Sequence, residues 1–291
     1  MSAHFDYHTP HSWEEAVDLL QDLGPQARPL AGGTDLMILI ERGQLSPSHL
    51  ISLDRIRGWD ALQLDGGLRL GAGTTYRQIE RGLLPEGPHA ALLESARQIG
   101  GVQVRNVATV AGNLCNASPA ADAVPPLLAM DASLLLYGPA GEHEVPVEEF
   151  ITGPGENLLG AAELVKEIRV PALPDGTSTA FLKAGRRAAM EISVVCVAAR
   201  LTLAEGACKS ARIALGAVGP TPLRAKEAEQ ALQGRPLTNA TAREAARLAA
   251  EATRPISDVR ASAEYRRYMS EVMVRRALEL CYRRITGAAL A

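Results

Sequence analysis

The sequence predicts an α+β protein built in two parts, and three observations carry the prediction. Short β-like runs alternate with amphipathic helical segments as far as residue 171. Residues 171–179 then hold two prolines, one glycine and several small polar residues, the composition of a linker. Beyond them, three β-like runs are followed by three helical segments, an order that marks an α+β domain. A chain of 291 residues exceeds a typical single domain. The expected division is therefore 1–174, in lobes of about 1–55 and 56–174, and then 175–291.

The first lobe opens with a strand at 5–8. Ser12 followed three residues later by Glu15 has the form of a capping box, and Trp13, Ala16, Val17, Leu20 and Leu23 recur at helical spacing behind it. Gly24 and Pro25 end that helix. A strand at 27–30, a Gly-Gly turn, a helix at 35–42 and a strand at 49–53 complete the lobe. From Leu62 the period becomes two, and residues 62–64 and 68–70 around Asp65-Gly66-Gly67 predict a hairpin. Gly71-Ala72-Gly73 resembles the start of a dinucleotide fingerprint, but Tyr76 stands where the third glycine belongs, so it reads as a strand-to-helix turn.

Residues 90–99 have helical apolar spacing, 126–136 are apolar, a strand is expected at 133–137, and 144–150 read as another short strand and turn. Residues 163–171 alternate up to Pro171 and read as the strand that closes the second lobe. In the C-terminal part, β-like runs at 179–184, 191–203 and 210–218 predict a small antiparallel sheet, the last two runs separated by Ala204-Glu205-Gly206-Ala207. Helices are expected at 222–233, 241–253 and 262–284. Tyr265, Tyr268, Met269, Val272, Leu280 and Cys281 form the core stripe expected of the last.

Composition narrows the function classes. Thirty basic against 33 acidic residues give a net charge of −3, which argues against a nucleic-acid or anionic-membrane surface. Aromatic residues make up only 4%, too few for base-stacking platforms. Cys115, Cys196, Cys208 and Cys281 are scattered, with no paired spacing for zinc or an iron–sulfur cluster, and read as reduced thiols. His4, His8 and His11 are followed by no metal-ligand spacing, so no metal site is expected. Residues 1–7 lack a basic region leading into an apolar run, and no 18-residue apolar stretch occurs, so the expected location is the cytoplasm.

Two stretches carry the chemistry. Pro29-Leu30-Ala31-Gly32-Gly33-Thr34-Asp35-Leu36 is a short apolar strand leading into two glycines, a hydroxyl and a carboxylate. Glycines leave no Cβ in the way, so bare N–H groups can form a concave anion nest. The second stretch, residues 103–122, again has small residues from Ala108 to Gly112, with Thr109, Asn113, Ser118 and Asp122 as short polar groups. Bare amides beside short hydrogen-bonding side chains suit a diphosphate with a sugar attached.

At these two stretches, and again at residues 181–198 and 257–278, the sequence resembles the FAD-binding medium subunits of molybdenum hydroxylases, the family of xanthine dehydrogenase and aerobic carbon monoxide dehydrogenase. The resemblance implies a two-lobed FAD-binding domain of the PCMH, or vanillyl-alcohol-oxidase-like, kind, followed by a flavoprotein C-terminal domain. It implies that residues 29–36 wrap the FAD pyrophosphate and that Thr109, Val110, Ala111, Gly112 and Asn113 grip it from the other lobe. It further implies that Asp122, in the run from Ser118 to Asp122, bonds the ribityl or ribose region, Ser118 being a further cofactor-binding candidate, and that Lys183 approaches the flavin ring from the C-terminal domain. Val165 corresponds to an apolar residue packed near the ring, and Ile99 stands where some relatives place an aromatic side chain over it. Ala111 replaces a glycine and Glu191 an aspartate common in the family.

No nucleophile–base pair is evident, and no histidine stands in the Gly-Gly turn to link the flavin covalently. The expected role is therefore an electron relay with noncovalent FAD and no catalytic residue of its own. Electrons would arrive singly from a partner's [2Fe-2S] clusters, in a complex with a molybdenum-cofactor large subunit, and leave to NAD, oxygen or another acceptor. The alternatives are a self-sufficient FAD-dependent oxidase or reductase of the same superfamily, and a non-catalytic nucleotide-binding assembly protein.

Overall fold

The computed structural model describes residues 4–84 and 87–290. Its first lobe is a three-stranded parallel sheet in which His49–Ser52 lies between Asp6–His8 and Ala27–Leu30. Helix Trp13–Leu23 makes the crossover, with Ser12 accepting the Glu15 N–H at its N-terminus. The Glu15 carboxylate returns to the N–H of His11, one residue earlier than a capping box requires. Ala16, Val17 and Leu20 of this helix pack on Ala27, Ile51 and Leu53, which gives the lobe a small core of its own.

The second lobe is a five-stranded antiparallel sheet ordered Leu62–Leu64, Gly67–Gly71, Leu164–Pro171, Ser133–Gly138, Gly141–Pro146. The strand expected to close the lobe does so from its centre. Leu68, Leu70, Leu134, Leu136, Ile168 and Val170 form one covered face, with residues of helices Ala90–Gln98, Val110–Asn116 and Val124–Ala129 against it. The last of these helices begins with prolines in its first turn, where a missing N–H costs nothing. The expected strand-to-helix turn follows Gly71, where Thr75 and Gln78 form a reciprocal capping box ahead of the short helix Tyr76–Gln78.

The C-terminal part is a four-stranded antiparallel meander, Thr177–Ala184, Val195–Ala204, Ala207–Gly216 and Leu223–Arg224. Glu205 and Gly206 both take positive φ at the tight turn between the second and third strands, as a type I′ hairpin requires. Helices Lys226–Leu232, Asn239–Glu251 and Ala263–Thr286 follow. Val197, Ala199 and Leu201 face these helices, while Cys196 and Ala198 join the core of the second lobe. Strand Val195–Ala204 is thus covered on both sides, which explains its continuous apolar stretch from Val195 to Ala199.

Three expectations are corrected. Leu223–Arg224 pairs with Ala214 and Leu215 as an edge strand, so the helix expected from 222 starts at Lys226. The strand expected from 191 begins at Val195, because residues 185–194 form a loop. Tyr265 and Tyr268 are exposed; the buried stripe of the last helix is Arg266, Ser270, Met273, Val274, Ala277, Leu278 and Cys281. Arg266 can occupy that apolar face because its guanidinium donates to the carbonyls of Val194 and Ala217 and to Asp258.

Candidate functional site

Strand Ala27–Leu30 delivers the chain to the Gly-Gly bend, and helix Leu36–Glu41 leads away from it. Gly33 takes a φ of 70°, the left-handed region that favours glycine. Gly32 is required for a different reason: a Cβ there would stand 2.0 Å from the carbonyl oxygen of Val107. Val107 ends helix Val102–Val107, and the break at Ala108–Thr109 separates it from helix Val110–Asn116. The two stretches therefore meet backbone to backbone across the lobes.

They meet with unequal resources. In the second stretch Val110 N–H donates to the Thr74 carbonyl, Gly112 N–H to Thr109 Oγ1 at 3.0 Å and Asn113 N–H to the Thr109 carbonyl. In the first, the amides of Gly32, Gly33 and Thr34 donate to no protein acceptor among the described residues. Three free amides in a row, suited to an anion nest, lie in the first bend, while at residues 108–113 of the second stretch only the N–H groups of Thr109 and Ala111 are likewise without a protein acceptor among the described residues. The second stretch adds side chains, and Asn113 Oδ1 is buried without a partner among the described residues.

Between the two lies a cavity of about 410 Å³, within the range of small-molecule sites. Pro29, Ala31, Gly32, Gly33, Thr34, Asp35 and Leu36 line one side, and Thr109, Ala111, Gly112 and Asn113 another. Ile99 and Val165 are also at the wall, joined by Val104, Leu159, Leu164 and Tyr76, which the sequence did not suggest. Leu164 and Val104 could have been found as neighbours of expected positions. Tyr76 was noted only for the glycine it replaces. It is fully buried, with its hydroxyl unpartnered among the described residues, and burial followed by the charges of Asp122 and Asp35 holds its pKa well above the ordinary phenol value.

Five expected residues lie outside the cavity lining. Leu30 packs beneath Gly33, Val110 is buried in the second core, and Ser118 accepts the Ala120 N–H. Asp122 and Lys183 form an ion pair at 2.6 Å, each side chain only 8% exposed. Ser193 Oγ donates to the other Asp122 oxygen, and Lys183 Nζ also reaches the Gln98 carbonyl at 3.3 Å. Lys183 and Gln98 line a second cavity together with residues 184–189 and Glu191; Ile99 is not part of its lining.

The chemistry of the main cavity is that of a holder. No histidine lines it, and burial raises the pKa of its one cysteine, Cys115, to about 12, leaving a neutral thiol. Among the described residues no cluster of histidine, cysteine, aspartate or glutamate is arranged to hold a metal ion, and no helix is long and apolar enough to cross a membrane.

Residues 3–173 match the family model of the FAD binding domain in molybdopterin dehydrogenase, and residues 180–280 match that of the CO dehydrogenase flavoprotein C-terminal domain. The chain belongs to the FAD subunits of the molybdenum hydroxylases. It is 34% identical to the xanthine dehydrogenase FAD-binding subunit of Escherichia coli, over 94% of each chain. It is also 34% identical to the carbon monoxide dehydrogenase medium chain of Afipia carboxidovorans, over 94% of this chain and 96% of that one. A solved CO dehydrogenase from Oligotropha carboxidovorans superposes with a TM-score of 0.92 at 34% identity, covering 98% of this chain and 99% of the other. FAD is accordingly the cofactor of this oxidoreductase subunit, and the fold is that of the flavoprotein chains. The cavity fits the group: a bend with free amides in which Gly32 tolerates no Cβ, and a lining otherwise rich in apolar side chains.

Proposed function

We propose that this chain is the electron-transfer subunit of its complex. It would take electrons from the [2Fe-2S] clusters of a small subunit, which receives them from a molybdenum-cofactor large subunit, and pass them to NAD, oxygen or another acceptor. One observation supports this most: the cavity combines a free-amide bend with mostly apolar side chains, and its titratable groups are a single carboxylate, Asp35, and two groups that burial keeps neutral, Cys115 and Tyr76, so it is built to bind and orient.

The amides of Gly32, Gly33 and Thr34 would take the diphosphate, with the Tyr76 hydroxyl able to donate to an acceptor of the cofactor and Asn113 Oδ1 able to accept from one of its sugar hydroxyls. Charge-assisted hydrogen bonds of this kind contribute on the order of 1.5–3 kcal/mol each. Ile99, Val104, Leu159 and Val165 would exclude water from the ring. Bound FAD supplies the exchange of one or two electrons, which lets single-electron donors feed a two-electron acceptor. Asp122 and Lys183 would act from outside the cavity lining, Lys183 with its charge balanced by Asp122.

The test is purification of a tagged chain from its native cells, followed by anaerobic addition of a reductant for the partner clusters. The proposal expects two untagged subunits carrying molybdenum and iron, and bleaching of the flavin only when they are present. An isolated yellow chain that oxidises a small organic substrate unaided would overturn it.

A further inference from the structure

Arg105 belongs to the second stretch but touches neither of the bends. Its side chain is 10% exposed and makes four hydrogen bonds with one guanidinium. Nη1 donates to the carbonyls of Ile99 at 3.1 Å and Gly100 at 3.3 Å. Nε and Nη2 donate to the two oxygens of Glu80, each at 3.2 Å. Glu80 is held in turn by Arg77 Nη1 at 2.8 Å.

The turn that Arg105 grips is the partition of the site. Ile99 lines the main cavity, and the preceding residue, Gln98, lines the second cavity. Gly100 has a φ of 51°, a left-handed turn, and the Ile99 and Gly100 carbonyls accept no backbone N–H among the described residues. Gly101, next along, lies against Met190 of the 185–194 loop. Without Arg105 nothing polar fixes the Ile99 and Gly100 carbonyls among the described residues.

We propose that Arg105 is a positioning residue, which holds the Ile99–Gly100 turn closed against the flavin-ring end of the cavity and keeps it a wall between the two cavities. The inference rests on the reading that FAD lies with its diphosphate at Gly32 and Gly33 and its ring against the apolar side chains of the lining. The guanidinium is needed for its shape: its fixed fork serves a carboxylate edge and two carbonyls at once, which a lysine ammonium cannot do in the same place. Glu80 fixes the fork, so the two act as one unit.

The test uses the full-length chain stripped of FAD, with FAD and ADP as separate probes, because ADP carries the diphosphate but no ring. Titrations compare wild type with Arg105→Met, Arg105→Lys and Glu80→Gln, and iodide quenching of the bound flavin's fluorescence reports how open the ring is. The inference expects Arg105→Met to weaken FAD at least tenfold and leave ADP within twofold, with iodide quenching clearly increased. Arg105→Lys should fail to restore the wild-type value, and Glu80→Gln should fall between. Because these two variants are mild, they decide the matter even if Arg105→Met does not fold. Unchanged FAD affinity and quenching in the variants would overturn the inference, as would an equal loss of FAD and ADP. If wild type itself binds FAD but not ADP, the placement of the diphosphate is wrong, which is a distinct failure.

Discussion

Adjacent glycines at 32 and 33 are present for different physical reasons, and substitution separates them. Alanine at 32 would drive a Cβ into the Val107 carbonyl at 2.0 Å, and backbone cannot step aside as a flexible side chain can. Alanine at 33 meets only the Leu30 and Met37 side chains at 3.2 Å, and its cost is that of a left-handed φ, about 1–2 kcal/mol. Gly32→Ala should therefore purify with less than a tenth of the wild-type flavin, while Gly33→Ala should keep a substantial share, measured as the ratio of visible to ultraviolet absorbance. Equal retention in the two would show that contact between the stretches is not what shapes the site. The sequence made the pair visible as a nest but could not say which glycine faces a carbonyl 75 residues away. Similarly, it marked Asp122 and Lys183 as polar groups of interest, yet their mutual pairing depends on a contact 61 residues apart in the chain.

Elements were legible where one face is buried and the period is clear. The parallel strands of the first lobe, the hairpin at 62–71 and the meander after 176 stand close to their expected places. The helix Val124–Ala129 overlaps the start of a stretch read only as apolar, because a short buried apolar run has no period to show, and its prolines sit in the first turn, which tolerates them. The stripe of the last helix was set off by its tyrosines, since an arginine does not look like a core residue. Arg266 is one because Asp258 and two carbonyls accept from its Nη1 and Nη2 groups. Burial pushes the Asp258 carboxyl up, but hydrogen bonds from the Arg260 N–H and the Arg266 guanidinium outweigh it and hold the pKa at about 2. A depressed carboxylate gives stability that is present above its unfolded value, near 3.8, and lost as the pH falls toward 2. Asp258→Asn should therefore lower stability at pH 7 by on the order of 2 kcal/mol. It should have much less effect near pH 2, as read from chemical denaturation at both values. The same deficit at both would exclude the charge as the cause.

At the scale of the whole molecule, the parts are joined by apolar and by ionic contacts. Phe181, Cys196, Ala198 and Ala214 of the C-terminal sheet complete the core of the second lobe. Beside them, Asp131 accepts from Arg200 at 2.7 Å and Arg212 at 2.9 Å and lies 3.3 Å from Arg224, all three arginines from that sheet. Asp131 has a φ of 52°, a conformation that asparagine also tolerates, so Asp131→Asn removes charge while keeping the backbone. It should cost about 2 kcal/mol at low salt, and less in 1 M salt where the exposed part of the pair is screened. Thermal melts at the two ionic strengths would check this, and a salt-independent loss would point to packing instead. Nothing in the sequence announces this junction, because no local pattern ties residue 131 to residues 200, 212 and 224.

The strand Leu164–Pro171 occupies the middle of its sheet, between partners made about 30 and 100 residues earlier. During synthesis those earlier strands must wait without their shared neighbour until residue 171 has emerged from the ribosome. Leu164 and Val165 bring the last piece of cavity wall with them, so a nascent chain cannot form a complete flavin pocket before more than half of it has been translated.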